Sequence, residues 1–139
     1  SNQIILINQQ FIFSTAELAY TLEVNEKCDV YSFGVLALEV IMGKHPGDLV
    51  LSMLSASSSI HGILLKDIVD PRPRSLTKQM AEKVVLGTKL ALLCVDPNPQ
   101  LRPDMQQVCV QLLKQRPHLE SMFPVITIGQ LLALELSGF

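Results

Sequence analysis

The sequence predicts an all-α protein, and three observations carry that expectation. From Lys27 to Met42 the apolar residues fall on every side of a helix, and Gly43 follows where a left-handed C-terminal cap belongs. Between Pro103 and Lys114, the residues Met105, Val108, Cys109, Leu112 and Leu113 repeat at i, i+3, i+4, i+7 and i+8. Proline-rich punctuation at Asp96-Pro97-Asn98-Pro99 and at Pro117 bounds the helical stretches, because proline can open a helix but not continue one.

Taken in order, residues Ser1 to Ser14 mix Ile, Leu and Phe with Asn and Gln without a clean period, which predicts an extended or poorly ordered arm. The Lys27–Met42 segment reads as a helix built to be buried. Pro46-Gly47 marks a turn, and Asp48 is placed to cap a short, partly exposed helix through Leu54 that ends in the serines at 55 to 59. From Ile60 to Pro73 a loop without regular structure is expected, since Asp70 and Arg72 each precede a proline and avoid the helical region. Ser75 or Thr77 caps a second long helix reaching Val95, with Met80, Val84, Thr88, Ala91 and Val95 on one stripe and Ala81, Val85 and Leu92 beside it. Pro103 suits the first turn of the third helix, which Pro117 ends. The tail beyond has a β-prone piece at Val125 to Ile128 and a short helix at Gln130 to Leu136.

Bulk properties set the outer bounds. A chain of 139 residues with 48% hydrophobic content suffices for one domain with a core. Its 17% charged residues sum to a formal net charge of -2 with no like-charge run, so nucleic-acid binding has no electrostatic support. Cys28, Cys94 and Cys109 lack the spacing of a zinc site or disulfide framework and are expected as reduced, buried, cytosolic thiols. His45, His61 and His118 are scattered and read as surface residues, and no metal site is expected. The opening residues lack the basic and small-residue features of a signal peptide, and Val30–Met42, interrupted by Glu39, is too short for a membrane span.

Four pieces in order carry a family resemblance: ELAYT at 17 to 21, CDVYSFGVLALEVIMGKHPGDL at 28 to 49, IVDP at 68 to 71 and LLCVDPNPQLRPDM at 92 to 105. Over residues 15 to 116 the chain resembles the C-terminal part of a protein kinase large lobe, most of all in the plant leucine-rich-repeat receptor-like serine/threonine kinases. The fold that the resemblance implies is a partial kinase C-lobe, with the 77–95 and 103–114 helices packed on the hydrophobic helix at 28–42. Residues 1–14 then form an arm outside the family pattern, and 117–139 a C-terminal tail.

The resemblance also implies roles for Glu17, Asp29, Gly34 and Arg102 as structural motif residues. Glu17 matches the glutamate of the motif that closes the activation segment, here Thr15-Ala16-Glu17, and pairs in the family with the arginine matched by Arg102. Arginine suits that position because its planar fork binds a carboxylate bidentately and keeps its charge. Read without the family, Glu17 fits a capping box over Ser14–Glu17, and Arg102 is a solvated loop residue. Asp29 matches the aspartate that accepts backbone N–H bonds from the catalytic loop, while on elementary grounds it is a favourable charge near a helix N-terminus. The two readings of Asp29 are compatible, and Asp29 is expected to be more exposed than in a complete kinase.

Phosphoryl transfer requires a glycine-rich loop, a strand lysine, a catalytic-loop aspartate, and an asparagine and DFG aspartate carrying magnesium. This sequence has no GxGxxG, VAIK, HRD or DFG. The chain alone is therefore expected to be inactive, with no catalytic, cofactor-binding or metal residues of its own; ATP and magnesium are implied only for full-length family members. Those members are implied to be non-specific serine/threonine protein kinases anchored in the plasma membrane, placing this portion on the cytoplasmic side. Two alternatives stand beside that reading: a non-catalytic module that docks on other kinases or protein partners through the 48–54 helix and exposed core, and the product of a truncated gene model.

Overall fold

A computed structural model of the chain describes residues 15–54, 58–73 and 75–139, with side chains described for 26–50, 52, 59–73 and 75–139. The 1–14 arm, the serines at 55 and 57, and the side chains of Glu17 and Leu51 lie outside these limits. Among the described residues the helices are α1 (Thr15–Met42), α2 (Gly47–Leu54), α3 (Leu65–Ile68), α4 (Lys78–Cys94), α5 (Met105–Leu113) and α6 (Ile128–Ala133). Three 3₁₀ turns, at Ser58–Ile60, Pro99–Leu101 and Pro117–Met122, fill the connections. The all-α expectation holds.

Helix α1 starts earlier than its apolar run, at Thr15, because residues 15 to 27 contain no glycine or proline to interrupt it. It stops at Gly43, whose φ of 72° is the left-handed cap conformation and whose N–H donates to Glu39 O at 2.8 Å. A Cβ at Gly43 would also lie 2.5 Å from the Asp70 carboxylate, so glycine is required there on two counts. The neighbouring Asp70 N–H donates to Ile41 O and pins the following loop to the end of α1.

The stripe Val30, Gly34, Leu38 and Met42 recurs every four residues and faces α4, which reciprocates with Val85, Leu86, Leu90, Ala91, Leu92 and Val95. On the opposite side Leu36 is 58% and Val40 72% exposed, so α1 is buried on one face rather than all round. Helix α4 is the more deeply enclosed of the pair. Thr77, not Ser75, caps it by accepting from Met80 N–H, and Thr88 satisfies its buried hydroxyl by donating to Val84 O. The outlying member of its expected stripe, Met80, is 46% exposed.

The other side of α4 is covered by the tail, whose placement periodicity does not determine. Leu119, Ile126, Ile128 and Leu131 all lie in the same core as α4. The β-prone piece becomes a single antiparallel bridge between Leu64 and Thr127. Around it Leu65 N–H donates to Ile126 O and Ile128 N–H to Ile63 O. The expected 130–136 helix is α6, shifted toward the N-terminus by a capping box in which Thr127 and Gln130 exchange bonds.

Other expectations need correction. The 60–73 loop is not free of regular structure, because α3 and the Leu64 bridge give its apolar patch a buried partner in the tail. Asp48 lies within the first turn of α2 instead of at its cap. Pro103 precedes α5, whose capping box joins Asp104 and Gln107, and the helix ends at Leu113, before Pro117. On α5 only Val108 and Gln111 are buried, while Cys109 and Leu113 turn to a side on which no described element packs. Cys28 is also exposed, leaving Cys94 as the one buried thiol of the three. The three histidines are exposed.

Candidate functional site

The motif residues gather where the described side chains of α1 begin and the 96–104 loop returns to it. Two Asx turns shape that loop: Asp96 Oδ1 accepts from Asn98 N–H, and Asn98 Oδ1 from Gln100 N–H. With Pro97 and Pro99 fixing their own φ angles, Arg102 is delivered to α1 by a stiff connection.

Half-buried Arg102 links its own loop to α1. Its Nε donates to Asp96 O at 2.8 Å, its Nη1 donates to Lys27 O at 3.0 Å, and its guanidinium lies 4.9 Å from the centroid of the Tyr31 ring. Lys27 returns the contact, its Nζ donating to Arg102 O at 2.9 Å. The two cations thus exchange bonds through each other's main-chain carbonyls, which fixes the loop against the middle of α1. Cys94 lies nearby, and burial pushes its thiol up to about 11 while the Arg102 charge opposes the shift.

Asp29 is exposed and lines a hollow of about 500 Å³ with Glu26, Lys27, Val30, Asp104, Met105 and Gln106. By helical position it lies on the side of α1 away from the Gly34–Met42 stripe. Gly34 faces inward: a Cβ there would sit 2.7 Å from Cys94 Cβ, 2.8 Å from Val95 Cγ1 and 2.9 Å from Ala91 O. The glycine is what lets the α1 and α4 backbones approach. Glu17 belongs to the first turn of α1.

The structure therefore places Asp29 and Gly34 in the middle turns of α1, with Arg102 docked beside them at Lys27 and Tyr31; Asp29 is not the charge near a helix N-terminus that the sequence suggests, because α1 begins well before it, at Thr15. Sequence reasoning missed Lys27 and Tyr31 as partners of Arg102. No local signal pointed to them, because both lie far from Arg102 in sequence and only the fold brings the three together. Among the described residues no three His, Cys, Asp or Glu side chains converge as a metal site requires. Without glycine-rich loop, strand lysine or catalytic-loop aspartate, the residues present do not fit a nucleotide–magnesium site. Among the described residues no helix is long and apolar enough to cross a membrane.

A helical layer around one apolar helix, with its middle tied by an arginine-bearing loop and a glycine at the main crossing, defines part of a protein kinase large lobe. The protein-family profile described as protein tyrosine and serine/threonine kinase matches residues 8–112, and the chain belongs to that family. Similar curated proteins, all from Arabidopsis thaliana, include MDIS1-interacting receptor like kinase 2, 53% identical over 92 residues, covering 66% of this chain and 9% of that protein. A probable leucine-rich repeat receptor-like protein kinase is 50% identical over 92 residues, covering 66% of this chain and 8% of its own length. Receptor-like protein kinase HAIKU2 is 38% identical over 109 residues, covering 73% and 11% respectively. The chain thus spans about a tenth of the length of these relatives and corresponds to part of their kinase domains. No solved structure matches it.

Proposed function

We propose that this chain is the base of the large lobe of a membrane-anchored, receptor-like serine/threonine kinase, and that it supports phosphoryl transfer by holding other parts of the kinase without touching the nucleotide. The observation that carries the reading is Arg102, clamped to the middle of α1 beside an exposed Asp29. In this reading the Asp29 carboxylate accepts N–H bonds from a catalytic loop; Arg102 receives Glu17 only once the start of α1 unwinds in the whole kinase, since Glu17 lies roughly 15 Å along the helix from Lys27. Gly34 supplies the close helix contact beneath both. ATP and magnesium are held by residues outside this chain, and the lobe lies on the cytoplasmic side of the membrane.

The chain alone is inactive in this reading. Thermal unfolding with and without magnesium and ATP tests it: no shift is expected, and a saturable nucleotide-dependent rise would overturn it. The complementary test is the coding sequence upstream of Ser1, where HRD and DFG are expected in frame. Their absence would remove the kinase reading and leave a docking module.

That second reading is favoured by Leu36 and Val40, which place uncovered apolar surface on the side of α1 facing away from α4. An intact kinase should then co-purify with the chain and be lost on Val40→Asp, whereas a kinase captured equally by the variant would exclude this surface.

A further inference from the structure

Arg116 is a buried cation that the kinase reading leaves without a role. Its residue is 7% exposed. The guanidinium donates to neutral acceptors: Nη1 to Ser137 Oγ at 3.3 Å, and Nη2 to Ser137 O at 2.8 Å and to Gln111 Oε1. Its Nε is buried with no hydrogen-bond partner. The nearby Glu82 carboxylate accepts from the main-chain N–H of Arg116 at 3.0 Å and lies 3.6 Å from Lys83 Nζ. A buried guanidinium with neutral acceptors and one idle N–H is an incomplete arrangement, since each such donor costs desolvation energy.

The Ser137 side of this cluster is open and positive. Ser137 and Gly138 are exposed, and Gly138 sits at φ 87°, turning the segment back over α5. A Cβ built on Gly138 would lie 2.1 Å from Lys114 Nζ, so a second cation packs against the same turn. Gln111 Nε2 donates to Gly138 O at 2.9 Å and holds the turn in place. The Ser137 hydroxyl therefore accepts from the Arg116 fork one residue before the turn that Lys114 packs against, with Glu82 engaged by Lys83 and Glu135 the other carboxylate in the segment.

We propose that Ser137 is a phosphorylation site and that Arg116 and Lys114 form a receptor for its phosphate, locking the 134–139 segment onto α4 and α5. A serine/threonine kinase transfers the γ-phosphoryl group of magnesium ATP: the bond from γ-phosphorus to the β,γ-bridging oxygen breaks and one to Ser137 Oγ forms. ADP leaves, and the hydroxyl proton passes to the transferring kinase's base. The dianion gives the guanidinium a charged, multidentate acceptor in place of a hydroxyl. The test is the full chain with phosphoserine incorporated at position 137, compared with wild type, Ser137→Ala and the phosphorylated chain carrying Lys114→Ala.

The phosphorylated chain should melt higher than wild type by several degrees, with the gain reduced by salt and by Lys114→Ala. Its phosphorus NMR signal should titrate below the roughly 6 of free phosphoserine, and phosphatase should remove the group slowly. Equal or lower melting together with titration near 6 would overturn the receptor. Phosphopeptide mapping of the chain expressed in plant cells with phosphatases inhibited should find Ser137 modified, and an unmodified Ser137 would overturn the assignment. Lys114→Ala, a surface change, keeps the test valid if Arg116 variants do not fold.

Discussion

The crossing of α1 and α4 at Gly34 allows a quantitative test, because two helix-interior glycines in this chain face opposite circumstances. Gly34→Ala adds a Cβ at 2.7, 2.8 and 2.9 Å from three atoms, one of them the Ala91 main-chain oxygen. Ordinary carbon contacts lie at roughly 3.5–4.0 Å, so the helices must part by somewhat less than ~1 Å. Overpacking of this kind costs about 1–3 kcal/mol, against a helix-propensity gain of about 1 kcal/mol for replacing glycine. With a main-chain atom and a Cβ among the obstructions, the net expectation is a loss of ~1–2 kcal/mol. For a chain of this size that corresponds to a melting temperature lower by roughly 2–8 °C. Gly87→Ala is the internal control: its Cβ would meet only Ile41 Cδ1 at 3.8 Å, an ordinary contact in the middle of α4. It should raise the melting temperature by about 2–4 °C through propensity alone. Thermal and urea unfolding followed by far-ultraviolet circular dichroism read both variants. Shifts of the same sign, or a Gly34→Ala protein as stable as wild type, would refute the close-crossing argument.

Thiol chemistry should separate the cysteines: Cys28 and Cys109 react with a water-soluble disulfide reagent in the folded chain, whereas buried Cys94, its thiol raised to about 11, reacts only on unfolding. Quantifying released thiolate before and after denaturant checks this. Arg102→Lys keeps the charge but cannot bond Asp96 O and Lys27 O together, and should cost about 1–3 kcal/mol, read as a lower urea midpoint. Lys89 is buried with its Nζ on Leu132 O, and burial holds its pKa below the ordinary 10.5. The folded chain then binds fewer protons than the unfolded one, so stability should rise with pH between the lowered value and 10.5, by at most about 1.4 kcal/mol per pH unit. Lys89→Met should flatten that limb of the urea-midpoint profile.

Much of the helical layout was legible because it depends on local signals. The Gly43 stop, the Thr77 cap and the boundary set by Pro97 and Pro99 act over a few residues, and the structure uses each of them. What failed depended on partners distant in sequence. The 60–73 segment has no strong period of its own, and becomes ordered because Ile63 and Leu65 bond to Ile128 and Ile126 in the tail. Cys109 and Leu113 fit an apolar stripe by spacing, yet spacing does not say whether a partner exists, and around α5 one covers only the Val108 side. The Arg102 site was half legible: the motif gave the arginine, but its acceptors are main-chain carbonyls, which no side-chain pattern encodes.

The division of α1 into two stripes has a consequence for how this part of a kinase lobe can work. Val30, Gly34, Leu38 and Met42 face α4 and carry the packing, whereas Asp29, Leu36 and Val40 lie on the side left open. Because the tail, through Leu119, Ile126, Ile128 and Leu131, covers the far side of α4, the core of this layer closes without help from the open stripe. Changes on that stripe should therefore alter what the lobe holds while sparing its stability. Surface substitutions away from packing typically fall within about ±0.5 kcal/mol. Asp29→Asn and Val40→Asp should then melt near wild type, and Gly34→Ala should not. If Asp29→Asn or Val40→Asp instead lowered the melting point as far as Gly34→Ala, the open stripe would belong to the core, and the separation of holding from folding along this helix would be wrong.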